Sequence, residues 1–566
     1  MSELPPFVLF FIAALLALVT RGVLRKVVLL AAPVLTFGHI VWNLDAGVVT
    51  TLSLLNIELT LLRVDKLSLL FSYLFCLASV IATLFALQVD DTKQEIAGLV
   101  YAGSALGAVF AGDLVTLFIF WELLAVSSVV FIWARGTERA IGASMRYLIF
   151  QVLSGVFLLA GALVHFHQTG SLAFGHIGLN GLASWLIIIA FGIKSAFPFL
   201  HSWLTDGYPE ATATGTVFMS AFTTKVAVYA LARGFAGEEI LVYVGVTMAC
   251  FPIFYAVIEN DLRRVLAYSL INQVGFMVTG IGIGTALALN GAVAHAFSDV
   301  IFKGLLFMTM GVVLHRVGHV YGSDLGGLYK SMPKTTALCI VGALSISAFP
   351  LFSGFVSKSM VMTALVLEDY NYLWLFMLFA SAGVFHHAGI KIPYFAFFHH
   401  DSGLRPADAP VNMLLAMGLA AFACVFIGSQ PQYLYALLPW EAEYWPYDMT
   451  HVLTQLQLLF FSALAFVWLN KRGIYPPELH STNLDAEWIY RKLLPIGALR
   501  GLAMLRATGD SLAAVAATPF RRARDSFSQS ALARYHLSES WPTGSMVLWI
   551  TLILLVYLLL DILVYS

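Results

Sequence analysis

The chain has 566 residues, of which 60% are hydrophobic and 11% are charged, and its formal net charge is −1. This apolar fraction excludes a soluble globular protein and predicts an all-α polytopic membrane protein. The balanced charge gives no reason to expect a nucleic-acid partner. The four cysteines lie far apart in apolar runs, so the sequence predicts no disulfide, no metal site and no cofactor.

Apolar runs of bilayer-spanning length follow one another along the chain and predict sixteen spans that have the lipid bilayer as their solvent. The predicted spans are residues 5–20, 27–44, 67–88, 97–112, 114–133, 144–165, 183–205, 213–234, 240–258, 264–283, 287–314, 336–362, 372–398, 411–428, 452–470 and 545–564. Basic residues concentrate in alternate loops, such as the loop with Arg135 and Arg139 and the loop with Arg263 and Arg264. The positive-inside rule therefore places these loops on the inner face and the N-terminus outside.

The seventh predicted span has features that a simple membrane helix does not carry. Lys194 lies inside its apolar run, and Pro198 follows four residues later with a polar tract after it. Proline removes a backbone donor and crowds the preceding turn, so the sequence predicts a helix broken within the membrane. A second lysine, Lys225, lies in the middle of the eighth span. An ionisable side chain in hydrocarbon is costly, so both lysines are candidate functional residues, with snorkelling to the interface as the alternative.

A repeated tetrapeptide relates two parts of the chain. The segment SAFP occurs at 195–198 and again at 347–350, in the seventh and twelfth spans. Each copy has a lysine near it, Lys194 before the first and Lys358 after the second. The copies lie five spans apart, an odd number, so the two halves would have opposite orientations. The sequence predicts two inverted five-helix repeats with broken seventh and twelfth helices. The predicted repeats are residues 97–234 and 240–398.

Further titratable residues lie inside other predicted spans. Glu122 lies well within the fifth span. Those in the eleventh and thirteenth spans are His295, Asp299 and Lys303, and His386, His387 and Lys391, respectively. The four-residue spacing in the eleventh span places its three residues on one helix face. The alternatives are structural: an ion pair that only fixes helix packing, and core positions for the two adjacent histidines.

The chain changes character after the fifteenth span. Residues 471–543 are too polar to span a membrane and are rich in arginine, alanine and leucine. We predict helical segments along the inner surface that lead to the last span at 545–564, with a regulatory or linker tail as the alternative. On either side of the repeats, residues 1–96 would form N-terminal membrane helices and residues 411–470 peripheral ones.

Buried lysines close to carboxylates and histidines have a property suited to proton transfer. A lysine in a low-dielectric site can switch between its charged and neutral forms when a neighbouring charge moves. The row of buried charges could therefore pass protons from site to site at midplane depth. A carrier of organic solutes is less favoured because nothing marks a substrate pocket. The sequence also contains none of the motifs of serine hydrolases, zinc proteases or phosphate-binding enzymes.

Several stretches resemble the antiporter-like subunits shared by Mrp cation/proton antiporters, respiratory complex I and membrane-bound hydrogenases. They are FWE at 120–122, GIKSAFPFLHSWLTDGYPEA at 192–211, Lys225, NDLRRVLAYSLINQVGF at 260–276, HAFSDVIFKGLLF at 295–307 and PLFSGFVSK at 350–358. The resemblance covers roughly residues 65–400 and implies a core of about fourteen helices with two inverted repeats. It implies a proton path through Glu122, Lys194, Lys225, Lys303 and Lys358, to which we add His295, Asp299 and Lys391.

The resemblance leaves two functions open. One is a proton-translocating subunit of a multisubunit antiporter that exchanges protons for sodium or another monovalent cation. The tail SWPTGSMVLW at 540–549 is similar to D-type Mrp subunits of proteobacteria and implies a multi-pass protein of a bacterial cytoplasmic membrane. The other is the proton-pumping membrane subunit of a complex I-like enzyme or a hydrogenase, in which case the chain would be part of a translocase. Both imply partner membrane subunits. Asp299 stands where the family often has a second histidine, which puts a purely histidine-mediated link at this point in doubt.

Overall fold

The computed structural model describes residues 4–54, 57–481, 483–528 and 543–565, and it divides the chain into two compact units that meet in sequence between 486 and 487. Eleven helical segments of the described residues are long and apolar enough to cross a membrane, two of which, Gly215–Gly234 and Asn371–Phe398, combine several of the helices below. They confirm the all-α polytopic prediction. The helices of the first unit are α1 (Phe7–Val19), α2 (Gly22–Asn43), α3 (Lys66–Ala86), α4 (Thr92–Phe110), α5 (Leu114–Trp133), α6 (Glu138–Thr169), α7 (Leu182–Lys194), α8 (Ser202–Gly207), α9 (Gly215–Ala221), α10 (Thr223–Gly234), α11 (Ile240–Ile258), α12 (Leu262–Ile283), α13 (Ala286–Val317), α14 (Pro333–Ile346), α15 (Ser353–Leu367), α16 (Asn371–Val384), α17 (Lys391–Pro393), α18 (Val411–Ser429), α19 (Pro431–Tyr435) and α20 (Met449–Lys471).

The second unit is also helical. It contains a π-helical turn, Ile489–Leu493, followed by α21 (Leu494–Ser528) and α22 (Thr543–Tyr565). The predicted final span at 545–564 falls within α22. Within 471–543, helical structure runs from about residue 487 to Ser528, whereas residues 474–481 and 483–486 are largely without it, and residues 529–542 lie outside the described residues. Its position along the inner surface stays a prediction.

A two-stranded antiparallel hairpin, which we did not predict, connects α2 to α3. Strand β1 (Val49–Leu54) pairs with β2 (Ile57–Arg63). The amide of Thr60 donates to Asp113 Oδ2 at 2.7 Å, and its carbonyl accepts from Gly112 N at 2.9 Å. The hairpin is thus fastened to the start of α5. The strands are much shorter than a bilayer-spanning run, so a search for such runs does not detect them.

The seventh and twelfth spans are both broken, as predicted. Between α7 and α8, Ala196 and Phe199 adopt the left-handed conformation, with φ of 63° and 67°. Between α14 and α15, Ala348 and Leu351 do the same, with φ of 56° and 73°. Residues other than glycine rarely adopt this backbone conformation because it costs them roughly 1–2 kcal/mol each. Its presence at the same two places in each copy indicates a backbone that the surrounding structure holds in place.

Two further features recur at equivalent points. Asp113 and Asp261 cap the first turns of α5 and α12 by accepting hydrogen bonds from backbone amides. Each also forms an isolated antiparallel bridge, Asp113 with Ala173 and Asp261 with Tyr321. The helices that follow, α6 and α13, both have 32 residues. These matches support the two-repeat organisation, whereas the opposite orientation of the repeats stays a prediction.

Two spans predicted as continuous helices are interrupted. The eighth is interrupted at Phe222, between α9 and α10, where the amide of Thr223 donates to the Tyr101 hydroxyl at 3.2 Å. The thirteenth carries two π-helical segments, Phe385–Ile390 and Tyr394–Phe398, around α17. Such segments are often found at functional sites. Both interruptions lie beside predicted lysines, Lys225 and Lys391.

Candidate functional site

Lys194 ends α7 at the first break and is fully buried. Its ammonium group donates to the carbonyl oxygen of Trp121 in α5 and lies 4.6 Å from the centre of the Trp121 ring. The indole N–H of Trp121 donates to Ser154 Oγ at 2.9 Å, and that hydroxyl donates to the Ala190 carbonyl at 2.7 Å. The break therefore leaves the lysine in a cage built from α5, α6 and α7.

Glu122 lies next in sequence to Trp121 but forms no direct ion pair with Lys194 among the described residues. Its carboxylate packs against Gly155 of α6, where even a methyl group would collide with it. Glu122 Oε1 is buried and has no hydrogen-bond partner among the described residues, and their ion pairs do not include one between Glu122 and Lys194. The two charges still act on each other through space. Lys194 instead bonds to the main chain one residue before Glu122.

A short contact between two fully buried opposite charges joins α10 to α13. Lys225 Nζ lies 2.6 Å from Asp299 Oδ2, and both side chains are fully buried. The same ammonium group donates to the Ser220 carbonyl at 3.1 Å, at the interruption between α9 and α10. Asp299 and Lys303 share a face of α13, but the ion pairs of the described residues do not include one between them. Lys303 instead donates to Ser269 Oγ of α12 at 2.7 Å.

His295 connects α13 to the second break. Its Nδ1 lies 3.0 Å from Ser357 Oγ of α15, and its Nε2 lies 3.1 Å from Gln273 Oε1 of α12. Ser357 immediately precedes Lys358 in the sequence. The three predicted residues of α13 are all buried, but each contacts a different neighbouring helix or residue. The three residues therefore share one helix face but make separate contacts.

Lys358 lies at the second break. Its ammonium group lies 3.4 Å from the Ile346 carbonyl at the end of α14 and 4.8 Å from the centre of the Phe276 ring. It lines a cavity of about 310 Å³ whose polar walls include Ser359, Thr363, His451, Thr454 and Gln455. The rest of its lining is mainly apolar, and His451 of α20, which is one of the lining residues, is partly exposed.

Lys391 occupies a different setting. Its ammonium group donates to the carbonyls of Val257 and Glu259 at the end of α11, each at 2.7 Å, and lies 2.8 Å from Glu478 Oε1. It therefore caps α11 and pairs with a segment after α20. His387, one turn before Lys391, is fully buried, and His386 stacks on Tyr475.

Sequence reasoning missed the neutral groups that connect the charges. Ser269 and Gln273 of α12, and Ser357 of α15, contact Lys303 or His295. A signal for the first two was present, because hydroxyl and amide side chains interrupt an otherwise apolar span. Glu478 gave no such signal, since it lies in a polar stretch outside the spans.

One carboxylate, that of Asp299, interacts electrostatically with several lysines in this site. Asp299 contacts Lys225 and also attracts the ammonium groups of Lys303 and Lys358. A single negative charge cannot balance three buried positive charges, and an uncompensated buried charge costs about 3–5 kcal/mol. Three buried lysines thus share one carboxylate, and a change in the charge of any one of them changes the electrostatic surroundings of the others.

Residues 111–384, which contain all of these lysines except Lys391, match the family described as NADH:quinone oxidoreductase/Mrp antiporter, TM. This stretch, a little under half of the chain, is therefore similar to that family. The chain is 30% identical over 285 residues to the D subunit of the Na(+)/H(+) antiporter of Alkalihalophilus pseudofirmus, covering 47% of this chain and 58% of that protein. It is 35% identical over 274 residues to the N subunit of the NADH-quinone oxidoreductase of Desulforudis audaxviator, covering 45% and 54%.

A solved structure has the same fold. The Mrp complex from Dietzia sp. DQ12-45-1b contains a chain that superposes with a TM-score of 0.75 at 22% identity, covering 100% of the antiporter-like chain and 63% of that chain. At this identity the likeness shows the fold alone. The antiporter-like chain thus spans little more than half the length of the two curated relatives it matches and under two thirds of this structure's chain.

Proposed function

We propose that the antiporter-like chain is the proton-translocating subunit of a multisubunit monovalent cation/proton antiporter, with Na⁺ as the exchanged cation. Its place would be the cytoplasmic membrane of a bacterium. The observation that carries the proposal is the buried group in which Asp299 attracts the charges of Lys225, Lys303 and Lys358. A purely structural core would gain nothing from three lysines that a single carboxylate cannot neutralise.

The contacts suggest an order for proton movement. In the first repeat, a proton on Lys194 is held by the Trp121 carbonyl and the charge of Glu122. When the charge near Lys194 changes, the Lys225–Asp299 pair at the junction of the repeats can open or close. Opening frees the Asp299 carboxylate to attract Lys303, and His295 with its two hydrogen bonds leads on to the Lys358 region. Each step requires only rotation of a side chain or one bridging water.

A proton-pumping role in a redox complex is the second candidate. The observation that favours it is the 35% identity to an NADH-quinone oxidoreductase subunit, which exceeds the 30% identity to the antiporter subunit over a similar length. Both candidates require other membrane subunits. Purification of the chain from its native membrane with its partners separates them. Small Mrp-type membrane subunits would support the antiporter, and iron–sulfur or nickel proteins would support the redox complex.

The Lys194→Ala exchange tests proton translocation in either setting. We expect the variant complex to assemble but to lose cation-dependent proton movement, measured in everted membrane vesicles with a pH-sensitive dye. Lys334→Ala is the matched control because the Lys334 side chain is exposed. A Lys194→Ala complex that transports protons at the normal rate would refute the proposal.

A further inference from the structure

A segment after α20 covers one face of the repeats. This strap, residues 474–481 and 483–486, begins where α20 ends and is largely without regular structure. It places two carboxylates in the protein, Glu478 on Lys391 and Asp485 on His201, with side chains only 5% and 6% exposed. Burying a carboxylate is costly unless it is paired. The strap therefore meets two specific partners on this face.

Asp485 joins the two repeats through hydrogen bonds. Its carboxylate lies 3.1 Å and 3.2 Å from His201 Nε2 and accepts a hydrogen bond from the Tyr268 hydroxyl of α12 at 2.6 Å. His201 lies between α7 and α8, seven residues beyond Lys194. Tyr268 precedes Ser269, the residue that binds Lys303. The carboxylate is thus placed between the broken helix of the first repeat and the lysine path of the second.

The His201 ring has one nitrogen bound and one free. The contact with Asp485 favours a proton on Nε2, because a carboxylate accepts hydrogen bonds. Nδ1 then carries an unprotonated lone pair. This atom is buried without a hydrogen-bond partner among the residues that the structure describes. An imidazole held by a carboxylate on one nitrogen is a proton acceptor at the other, since the carboxylate stabilises the positive charge that forms.

The two strap carboxylates differ in their electrostatic surroundings. Burial works to raise the pKa of Asp485, but the hydrogen bond and charge of His201 and the hydrogen bond from Tyr268 hold that pKa below its ordinary value. Burial raises the pKa of Glu478, although the nearby Lys391 works to lower it. The other titratable groups around the Asp485 pair are Tyr255 of α11, Glu259 after it, and Arg264 of α12. Asp485 therefore remains the anionic partner of the imidazole at neutral pH.

We propose that His201 and Asp485 form a proton-uptake pair on the strap's face of the protein. A proton binds Nδ1 of His201, the N–H at Nε2 stays on Asp485, and the proton then leaves from Nδ1 into the break that contains Lys194. Asp485 is a positioning residue that orients the ring and stabilises its charged form. Glu478, bound to Lys391, is the second anchor of the strap. The inference rests on the proposed proton translocation and adds the place where protons are taken up.

Two exchanges with opposite expected shifts test the pair in the full complex. Asp485→Asn keeps the shape but removes the negative charge, so the protonated ring becomes less stable. We expect the transport rate at neutral pH to fall roughly tenfold or more, with the pH profile moved to lower pH. Tyr268→Phe removes the hydrogen bond that the Tyr268 hydroxyl donates to the Asp485 carboxylate. The carboxylate then interacts more strongly with the protonated ring of His201. We expect the profile to move to higher pH.

Asp324→Asn is the matched control, because exposed Asp324 accepts from His480 of the same strap at 3.2 Å. We expect its rate and profile to equal those of the unchanged protein. Limited proteolysis of the strap reports whether it is still docked. Unchanged pH profiles in both Asp485→Asn and Tyr268→Phe would overturn the proposal. A loss of transport rate seen only in variants whose strap has become sensitive to the protease would overturn it as well. If Lys194→Ala retains transport, the proposed function itself fails, whereas an inactive Lys194→Ala beside an unaffected Asp485→Asn refutes the pair alone.

Discussion

At the scale of residues, the buried lysines of the second repeat and its junction differ in the group that binds each ammonium. Asp299 is in contact with Lys225, while Lys303 is held by the hydroxyl of Ser269. A hydroxyl oxygen accepts a hydrogen bond from a charged ammonium group and can equally donate to a neutral amine. The Ser269 hydroxyl can therefore bind Lys303 in either form, whereas the carboxylate next to Lys225 can only accept hydrogen bonds when it is ionised.

Asp299→Asn should act mainly on Lys225. The exchange removes the negative charge from a fully buried pair, and breaking such a pair costs about 3–5 kcal/mol if the lysine stays charged. The protonated form of Lys225 becomes less stable, so we expect transport to slow and its pH profile to move to lower pH. The measurement is proton movement in vesicles matched for protein content. Ser298→Ala, at the neighbouring residue of α13, is the control and should leave the profile in place.

Lys358→Arg should abolish transport without preventing assembly. Arginine keeps the positive charge but does not release its proton in proteins, so a residue that must alternate between two forms is fixed in one. The cavity of about 310 Å³ beside Lys358 leaves room for the longer side chain. The assay is the same vesicle measurement, with Lys330→Arg as control at an exposed ion pair. Normal rates in Lys358→Arg would show that this lysine does not titrate during transport.

At the scale of elements, the breaks in the seventh and twelfth spans carry matching backbone strain. Ala196 and Phe199 in the first break, and Ala348 and Leu351 in the second, share the left-handed conformation. The turn is fixed by local bonds such as that from Phe197 N to the Gly192 carbonyl at 2.9 Å. The breaks present main-chain carbonyls toward the interior, and Lys358 lies near one of them. Irregular backbone at this depth is tolerated only where protein or water satisfies it.

Glycine exchanges at two alanines of the same region should have opposite effects on stability. At Ala196, with φ of 63°, glycine removes the cost of the left-handed conformation, and the gain of about 1 kcal/mol is partly offset by the more flexible unfolded chain. At Ala190, within α7, glycine should destabilise by about 1 kcal/mol. Thermal unfolding of the purified complex in detergent compares the two. Equal losses in both variants would mean that the break carries no strain.

At the scale of the whole molecule, the two repeats are related by matched breaks, matched aspartate caps and equal long helices. The inverted arrangement requires that equivalent loops face opposite sides of the membrane. The loop between α6 and α7 and the loop between α13 and α14 are one such pair. Their charges agree with this, because the second carries Lys330 and Lys334.

Single cysteines introduced into these loops should be labelled from opposite sides by a membrane-impermeant maleimide. We expect Ser171→Cys to react in whole cells and Lys334→Cys only in everted vesicles, because both positions are exposed. The protein without either exchange is the control, since Cys76, Cys339 and Cys424 are buried and only Cys250 is partly accessible. Labelling of both positions from one side would contradict the inversion.

The sequence by itself determined the membrane class, the broken seventh and twelfth spans and the charged residues of the spans, because these depend on local properties. The length of an apolar run, a proline inside it and a lysine within it can each be recognised without knowing what packs against them. The repeated SAFP segment likewise predicted two related breaks, which the backbone of Ala196 and Ala348 shows.

Only the tertiary structure decided which charges meet. Helical spacing placed Asp299 and Lys303 on one face. The packing of α13 against α10 then brought Asp299 into contact with Lys225. The contacts of Glu478 and Asp485 depend on how the strap folds back over the repeats, and nothing in a polar stretch indicates its target. Partners far apart in the chain are selected by the packing of whole helices, and a periodicity of 3.6 residues fixes the face of a helix but not the neighbour that this face meets.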